Sequence, residues 1–193
     1  MPICGVVLSG GKSLRMGHDK GQLVYYSSPQ AIHCYKMLET LCPTIISCRK
    51  EQSKNYHGCK IVTDKYENCG PIAGLLSVYE ETASALLVIA CDLPFVTVES
   101  MSQLYQERDR TKAATIYKDK SNKLQPLCAI WEIAALEKLK QKLQCGQYSL
   151  MKTLQELPCK HITVTNPMTF INVNDNTARQ KTISVLLEER DRI

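Results

Sequence analysis

The sequence of 193 residues lacks an apolar run long enough to cross a membrane, because a spanning helix needs about twenty such residues. Its start, MPICGVVLSGG, also lacks the basic region and the cleavage site of a signal peptide. These absences predict a soluble, cytoplasmic protein without a membrane partner. With 44% hydrophobic and 22% charged residues, the chain can bury one core and is short for two, so we expect a single domain over residues 1–193.

The cysteines and histidines lack the spacing of a metal site. None of the ten cysteines pairs with another as CxxC, and the four histidines form no cluster. Most of the cysteines lie within apolar stretches, which predicts reduced, buried thiols and argues against zinc or an iron–sulfur cluster.

Basic residues are in slight excess but do not form blocks. The formal net charge is +5, and the sequence contains no Lys/Arg run of the kind that binds nucleic acid. The charge therefore argues against a nucleic-acid partner and suits the attraction of a small anionic substrate.

Apolar β-rich runs alternate with helical patterns along the chain. In the first half we predict strands at 3–8, 44–48, 59–63 and 85–91, and helices at 29–41, 70–82 and 98–108. This alternation predicts a doubly wound α/β fold with a parallel sheet. For the second half we predict strands at 113–117 and 126–131 as a hairpin or antiparallel edge, helices at 132–144 and 149–156, a strand at 161–165, and an amphipathic helix from Asp175.

Two common nucleotide-binding loops are missing after the first strand. The GKS at 11–13 would complete a Walker A loop only if position 6 were glycine, and that residue is Val6. The Rossmann GxGxxG pattern is absent as well. Neither familiar phosphate-binding motif therefore explains the segment that follows the strand.

The segment Leu8–Leu23, LSGGKSLRMGHDKGQL, instead combines glycines with cations. It follows a strand at the carboxyl edge of the predicted sheet, where backbone N–H groups can surround phosphates. Gly10 and Gly11 allow close approach of the backbone. Arg15 and Lys20 can offset the charge of a triphosphate and of departing pyrophosphate, so we expect both to be catalytic.

A second motif, CDLPF at 91–95, places Asp92 just past the most apolar strand and at the same edge of the sheet. A carboxylate there can hold Mg²⁺ against phosphate oxygens. Asp92 is therefore our candidate for a catalytic metal ligand. The alternative is that Asp92 caps a helix.

The pattern LxGGxSxRMGxDK resembles the signature of nucleotidyltransferases that have a Rossmann-like, three-layer α/β/α fold with a mostly parallel sheet. Its Gly-Gly and Asp-Lys forms look most like those of the molybdenum-cofactor guanylyltransferases. The resemblance implies transfer of GMP from GTP to the phosphate of molybdopterin or molybdenum cofactor, with Mg²⁺ as cofactor and with release of pyrophosphate. It also implies that the product, molybdopterin guanine dinucleotide, is handed to molybdoenzymes or their chaperones.

The resemblance also implies two sets of binding residues. We expect nucleotide contacts from Leu8, Ser9, Gly10, Gly11, Lys20, Asp64, Gly70 and Asp92. We expect acceptor contacts from Gln125, Asn172 and Asn174. The Gly-Pro step at Gly70 also fits a plain helix start, and Asn174 fits a helix cap equally well.

Some positions depart from the family pattern and leave alternatives open. Asp175 and Asn176 stand where an NVNTPE-like segment of the family has Thr and Pro, and Cys48 stands where some relatives place an asparagine near the base. Cysteine is a poor hydrogen-bond partner for guanine. The same motifs serve cytidylyl- and sugar-phosphate nucleotidyltransferases, and a non-catalytic nucleotide-binding adaptor is a third interpretation. The presence of both Lys20 and Asp92 argues against the adaptor.

Overall fold

The computed structural model describes residues 2–11, 20–119, 122–164, 166, 168–173, 180 and 182–184. Within them the chain forms one seven-stranded sheet, with β1 Ile3–Leu8, β2 Thr44–Cys48, β3 Ile61–Thr63, β4 Ala85–Ala90, β5 Ala114–Lys118, β6 Leu124–Trp131 and β7 Cys159–Thr163. The strand order is β3-β2-β1-β4-β6-β5-β7. Strand β6 is antiparallel to both of its neighbours, whereas the other neighbouring pairs are parallel. The sheet is therefore mostly parallel.

Helices cover both faces of this sheet. The described residues form α1 Gln30–Glu39, α2 Pro71–Thr82, α3 Val98–Gln106, α4 Ile133–Gln144 and α5 Leu150–Gln155, with short 3₁₀ helices at Lys20–Gln22 and Lys50–Asn55. Helices α1 and α3 pack on one face, and α2, α4 and α5 pack on the other. The result is a three-layer α/β/α fold. In this part of the chain no helix has the length and apolar character needed to span a membrane.

Strand β4 shows why the sequence builds these layers. All of its residues, ALLVIA, are buried, because helices cover both faces of a sheet of this kind. Successive side chains point to opposite faces. Leu87 and Ile89 therefore join the core under α1 and α3, while Leu86 and Val88 join the core under α2 and α4.

Helix α2 begins at the carboxyl edge of the sheet through a sharp turn. Gly70 precedes it with φ 59°, a left-handed backbone conformation that favours glycine. Pro71 then occupies the first turn, where its missing N–H removes no helical hydrogen bond. The Gly-Pro step thus directs the start of α2 toward the ends of the neighbouring strands.

Most predicted elements are confirmed, with ends shifted by at most two residues. The predicted hairpin is confirmed as the antiparallel β5–β6 pair. It does not form an edge, because β7 pairs in parallel with β5 and lies outside it. Of the C-terminal helix predicted from Asp175, residues 180 and 182–184 are helical, and the rest lies outside the described residues.

The cysteines are free thiols, as predicted, and six of the ten are buried. Cys128 is one of these, and burial raises the pKa of its thiol to about 12. Because the thiolate is the reactive form, such a thiol is inert at neutral pH and serves the core as an apolar group.

Candidate functional site

The main cleft of the described residues opens where β1, β2 and β4 end. Since these strands are parallel, their carboxyl ends meet at one edge of the sheet. The cleft has a volume of about 970 Å³, which is in the range of small-molecule sites. It is lined by Leu8, Ser9, Gly10, Gly11, Lys20, Ser47, Arg49, Lys50, Glu51, Asp64, Tyr66, Glu67, Asn68, Cys69, Gly70, Pro71, Ala73, Gly74, Ala90, Cys91, Asp92 and Leu127.

All eight residues predicted to contact the nucleotide line this cleft. They come from four separate segments: the end of β1 with the turn after it, the 3₁₀ helix at Lys20–Gln22, the stretch between β3 and α2, and the loop after β4. The structure thus brings the predicted set together, although contact with a nucleotide stays a prediction. Arg15, the further catalytic candidate, lies outside the described residues.

The turn after β1 fits closely against the neighbouring strands. The backbone N–H of Ser9 donates to the Ser47 carbonyl at 2.9 Å, which continues the β1–β2 pairing by one step. At Gly10 any Cβ would collide with the carboxylate of Asp64. A side chain at position 10 would displace the Asp64 carboxylate, so glycine preserves this close fit, and its bare backbone forms part of the cleft wall.

Asp92 and Lys20 face each other in the cleft. The Nζ atom of Lys20 lies 3.6 Å from Oδ2 of Asp92, and the two side chains are 21% and 22% exposed. The loop of Asp92 is held on both sides, because Cys91 N–H donates to the Leu8 carbonyl at 3.2 Å and Val173 N–H donates to the Asp92 carbonyl at 3.1 Å. These hydrogen bonds fix the backbone that carries the Asp92 carboxylate.

The surroundings of the second carboxylate oxygen of Asp92 indicate whether this position suits a metal ion. Its Oδ1 atom is buried and accepts no hydrogen bond from any described residue, and a buried unsatisfied carboxylate oxygen is costly unless a cation or ligand completes it. A hard oxygen donor in this position suits Mg²⁺. The alternative role of Asp92 as a helix cap is wrong, because α3 is capped by Thr97, whose side chain accepts from Ser100 N–H at 3.3 Å.

Asp64 forms part of the cleft wall, and its side chain is hydrogen-bonded to β2. Its Oδ1 atom accepts a hydrogen bond from Ser47 Oγ at 2.5 Å. Burial raises the pKa of the Asp64 carboxyl above its ordinary value, and the hydrogen bond from Ser47 and the charge of Arg49 only partly oppose this. The ionised form of Asp64 is therefore less favourable in the folded protein than in the unfolded chain.

Replacement of Asp64 by asparagine should raise the free energy of unfolding at neutral pH. Because the folded-state pKa is above the unfolded value, the ionised carboxylate destabilises the fold above that pKa, and protonation removes the penalty as the pH falls. The gain of Asp64→Asn should thus shrink from neutral to acid pH in urea titrations. Asp109→Asn is the control of opposite sign, since hydrogen bonds from Thr111 lower the pKa of Asp109. A gain from Asp64→Asn that does not vary with pH would contradict this account.

Of the predicted acceptor residues, Gln125 and Asn172 are described by the structure, and neither is in the lining of the cleft. Gln125 is on β6 and donates through Nε2 to Asp119 Oδ2 at 3.4 Å, while Leu127 of the same strand lines the cleft. Asn172 is exposed and precedes Val173, which bonds to the Asp92 backbone. Asn174 lies outside the described residues.

The sequence prediction missed several lining residues, above all Ser47 and Arg49. They flank Cys48, whose side chain is fully buried in the core under α1, so the position where some relatives have asparagine points away from the cleft. Alternation along a strand puts residues i and i+2 on one side. That rule could have linked Ser47 and Arg49, but it does not say which side faces the cleft.

Comparison with known proteins gives the family. The family model described as the MobA-like NTP transferase domain matches residues 5–161. A probable molybdenum cofactor guanylyltransferase of Halalkalibacterium halodurans is 30% identical, with 76% of this chain and 78% of that protein covered. A molybdenum cofactor biosynthesis bifunctional protein of Synechocystis sp. is 28% identical over 90% of this chain, which spans only 51% of that protein's length.

A solved structure supports the same fold. Molybdopterin-guanine dinucleotide biosynthesis protein A from Archaeoglobus fulgidus superposes with a TM-score of 0.81 at 22% sequence identity, covering 96% of this chain and 99% of that one. The resemblance inferred from the glycine and aspartate motifs is thereby confirmed. With most of its length matched by the family model, the chain belongs to the MobA-like NTP transferase family.

Proposed function

We propose that this protein transfers GMP from GTP to the phosphate of molybdopterin or molybdenum cofactor and releases pyrophosphate. The observation that carries the proposal is the pairing of Lys20 with Asp92 at 3.6 Å in a cleft that begins at a glycine turn. A cation and a carboxylate with one unsatisfied oxygen, placed beside exposed backbone, form a site for a metal-bound triphosphate.

The chain's own residues would act mainly by positioning and by charge. Gly10 and Gly11 offer backbone close to the phosphates, and the Lys20 ammonium stabilises the negative charge that develops on departing pyrophosphate. Arg15 adds a second cation. Leu8, Ser9, Asp64 and Gly70 complete the wall against which the nucleotide is held.

Asp92 is the residue that would hold Mg²⁺. When bound there, the ion supplies charge neutralisation and alignment of the phosphate oxygens. Lys20 lies next to the same carboxylate and so keeps the local charge balanced.

The reaction requires no general base from the protein. The acceptor phosphate is already anionic near neutral pH, since the second pKa of a phosphomonoester is about 6. The described residues that line the cleft include no histidine, which agrees with a mechanism in which the acceptor oxygen attacks the α-phosphorus directly and pyrophosphate leaves in line.

The acceptor should approach from the side of β6 and of residues 171–173. Gln125 and Asn172 are our candidates for its polar contacts, together with Asn174. Val173 joins this segment to the backbone of Asp92, so an acceptor bound there lies near the metal ligand. A cytoplasmic location and hand-over of the product to molybdoenzymes or their chaperones stay predictions.

Isotope-labelled GTP tests the bond that is broken. With molybdopterin present, label in the α-phosphate should enter the pterin product, and label in the γ-phosphate should appear in pyrophosphate. Transfer of the γ-label to the acceptor would mean phosphoryl transfer and would refute the proposal. Binding of GTP without either transfer would favour the adaptor.

A further inference from the structure

A buried polar cluster lies behind the glycine turn, and of its three members Ser9 alone also lines the cleft. It consists of Ser9, Gln52 and Tyr56, which are 3%, 4% and 2% exposed, and we name it the loop brace. The Oγ atom of Ser9 and the Oη atom of Tyr56 are hydrogen-bonded at 2.6 Å. Gln52 donates through Nε2 to the Ser9 carbonyl at 3.1 Å. Together with the Ser9 N–H bond to β2, these bonds engage the hydroxyl, the carbonyl and the amide of Ser9.

The loop brace also contacts the turn that carries Lys20. Gly21 follows Lys20 in the 3₁₀ helix, and a Cβ at Gly21 would collide with both Ser9 Oγ and Tyr56 Oη. The backbone of Gly21 is therefore packed directly on the brace. Gly10 and Lys20, which face the nucleotide in our proposal, are each adjacent in the chain to a residue that the brace holds.

Gln52 extends the brace to the end of β2. Its Oε1 atom accepts a hydrogen bond from Arg49 N–H at 2.9 Å, and Arg49 lines the cleft. One side-chain amide thus links the glycine turn to the residue that follows β2. Well-packed, fully bonded polar clusters of this kind fix geometry because a buried unpaired group is costly.

We propose that Tyr56 and Gln52 are positioning residues for nucleotide binding. Neither lines the cleft, and they act through Ser9 and Gly21 by fixing where the glycine backbone and the Lys20 ammonium lie. This inference rests on the proposed nucleotidyl transfer. The inference predicts that the Tyr56 hydroxyl affects the protein's affinity for the triphosphate although the hydroxyl does not contact the triphosphate.

The test is a double-mutant cycle measured by GTP titration and steady-state kinetics. Tyr56→Phe leaves the Ser9 hydroxyl buried without this partner, so the Kd and KM for GTP should rise about five- to tenfold, with a smaller change in kcat. Adding Ser9→Ala removes the second group of the pair. The loss caused by Tyr56→Phe should be smaller in the Ser9→Ala background than in the wild type, because the hydroxyl left unpaired by Tyr56→Phe is then absent.

Tyr117→Phe is the matched control. Tyr117 is also buried, and its hydroxyl donates to the Ser100 carbonyl at 2.7 Å, outside the cleft and the brace. This variant should lose thermal stability and keep the wild-type Kd for GTP.

Two results would overturn the inference, and they can be told apart. If Tyr56→Phe behaves like Tyr117→Phe, with a lower Tm and an unchanged Kd, the brace is only structural and the proposed function stands. If the wild-type protein binds no nucleoside triphosphate at all in the same titration, the proposed function fails and the positioning role fails with it.

Discussion

Asp92→Asn should fold normally and lose turnover, with kcat for GMP transfer reduced about a thousandfold, the scale expected when a preorganised charge at a reacting phosphate is lost. The amide cannot provide the anionic oxygen that the proposed metal ion requires. An uncharged amide costs less than an ionised carboxylate at a buried position without a hydrogen-bond partner, so thermal stability should be retained. The measurement is pyrophosphate release at saturating GTP and Mg²⁺, beside a melting curve.

Asp109→Asn is the control for this variant. Asp109 lies in the loop after α3, where its carboxylate accepts bonds from Thr111, and it does not line the cleft. Its turnover should equal that of the wild type. An Asp92→Asn enzyme with wild-type kcat would remove the metal-ligand role from Asp92.

Lys20→Met should reduce kcat/KM for GTP about a hundredfold, because the variant removes a cation that stabilises charge on the departing pyrophosphate. Lys20 is held beside Asp92 on a turn that packs against the loop brace through Gly21. Its ammonium is therefore preorganised, which makes its loss costly. Lys20→Arg should recover only part of the rate, since a larger planar group does not fit the same position.

The control for charge alone is Lys36→Met. Lys36 is exposed on α1 and does not line the cleft, so its removal changes the net charge by the same amount. Its kcat/KM should stay within about twofold of the wild type, because exposed charges away from a site act weakly through water and salt. Equal losses in both variants would mean that Lys20 acts only through the overall charge.

The placement of Lys20 and Asp92 could be predicted from the sequence because its causes are local. A glycine turn after β1 and an aspartate after β4 each follow an apolar strand, and neighbouring parallel strands bring their ends to one edge. The structure places β1 beside β4. The two motifs therefore meet, although they are far apart in the chain.

Ser47, Arg49 and the loop brace could not be predicted in the same way. Every residue of β2 is buried, so no alternation of polar and apolar residues shows which side faces the cleft, and the motif comparison pointed to Cys48. The Ser9–Tyr56 bond joins two loops that share no periodic pattern. Contacts of this kind depend on how the chain folds back on itself, which a single sequence does not specify.

The edge of the sheet was mispredicted for a related reason. A hairpin pattern identifies β5 and β6 as partners, but it carries no information about what lies beyond them. Strand β7 is only partly buried, as expected for an edge strand. Its parallel pairing with β5 arises from the α4–α5 connection on one face of the sheet, a long-range feature.

The most direct test of the proposed function is the initial rate of pyrophosphate release with Mg²⁺ and each of GTP, CTP, ATP and UTP, with and without molybdopterin. We predict release from GTP that depends on the acceptor, and little release from the other three nucleotides. A preference for CTP would place the protein with the cytidylyltransferases. Silence with all four nucleotides, despite bound GTP, would contradict a catalytic role and leave a nucleotide-binding adaptor.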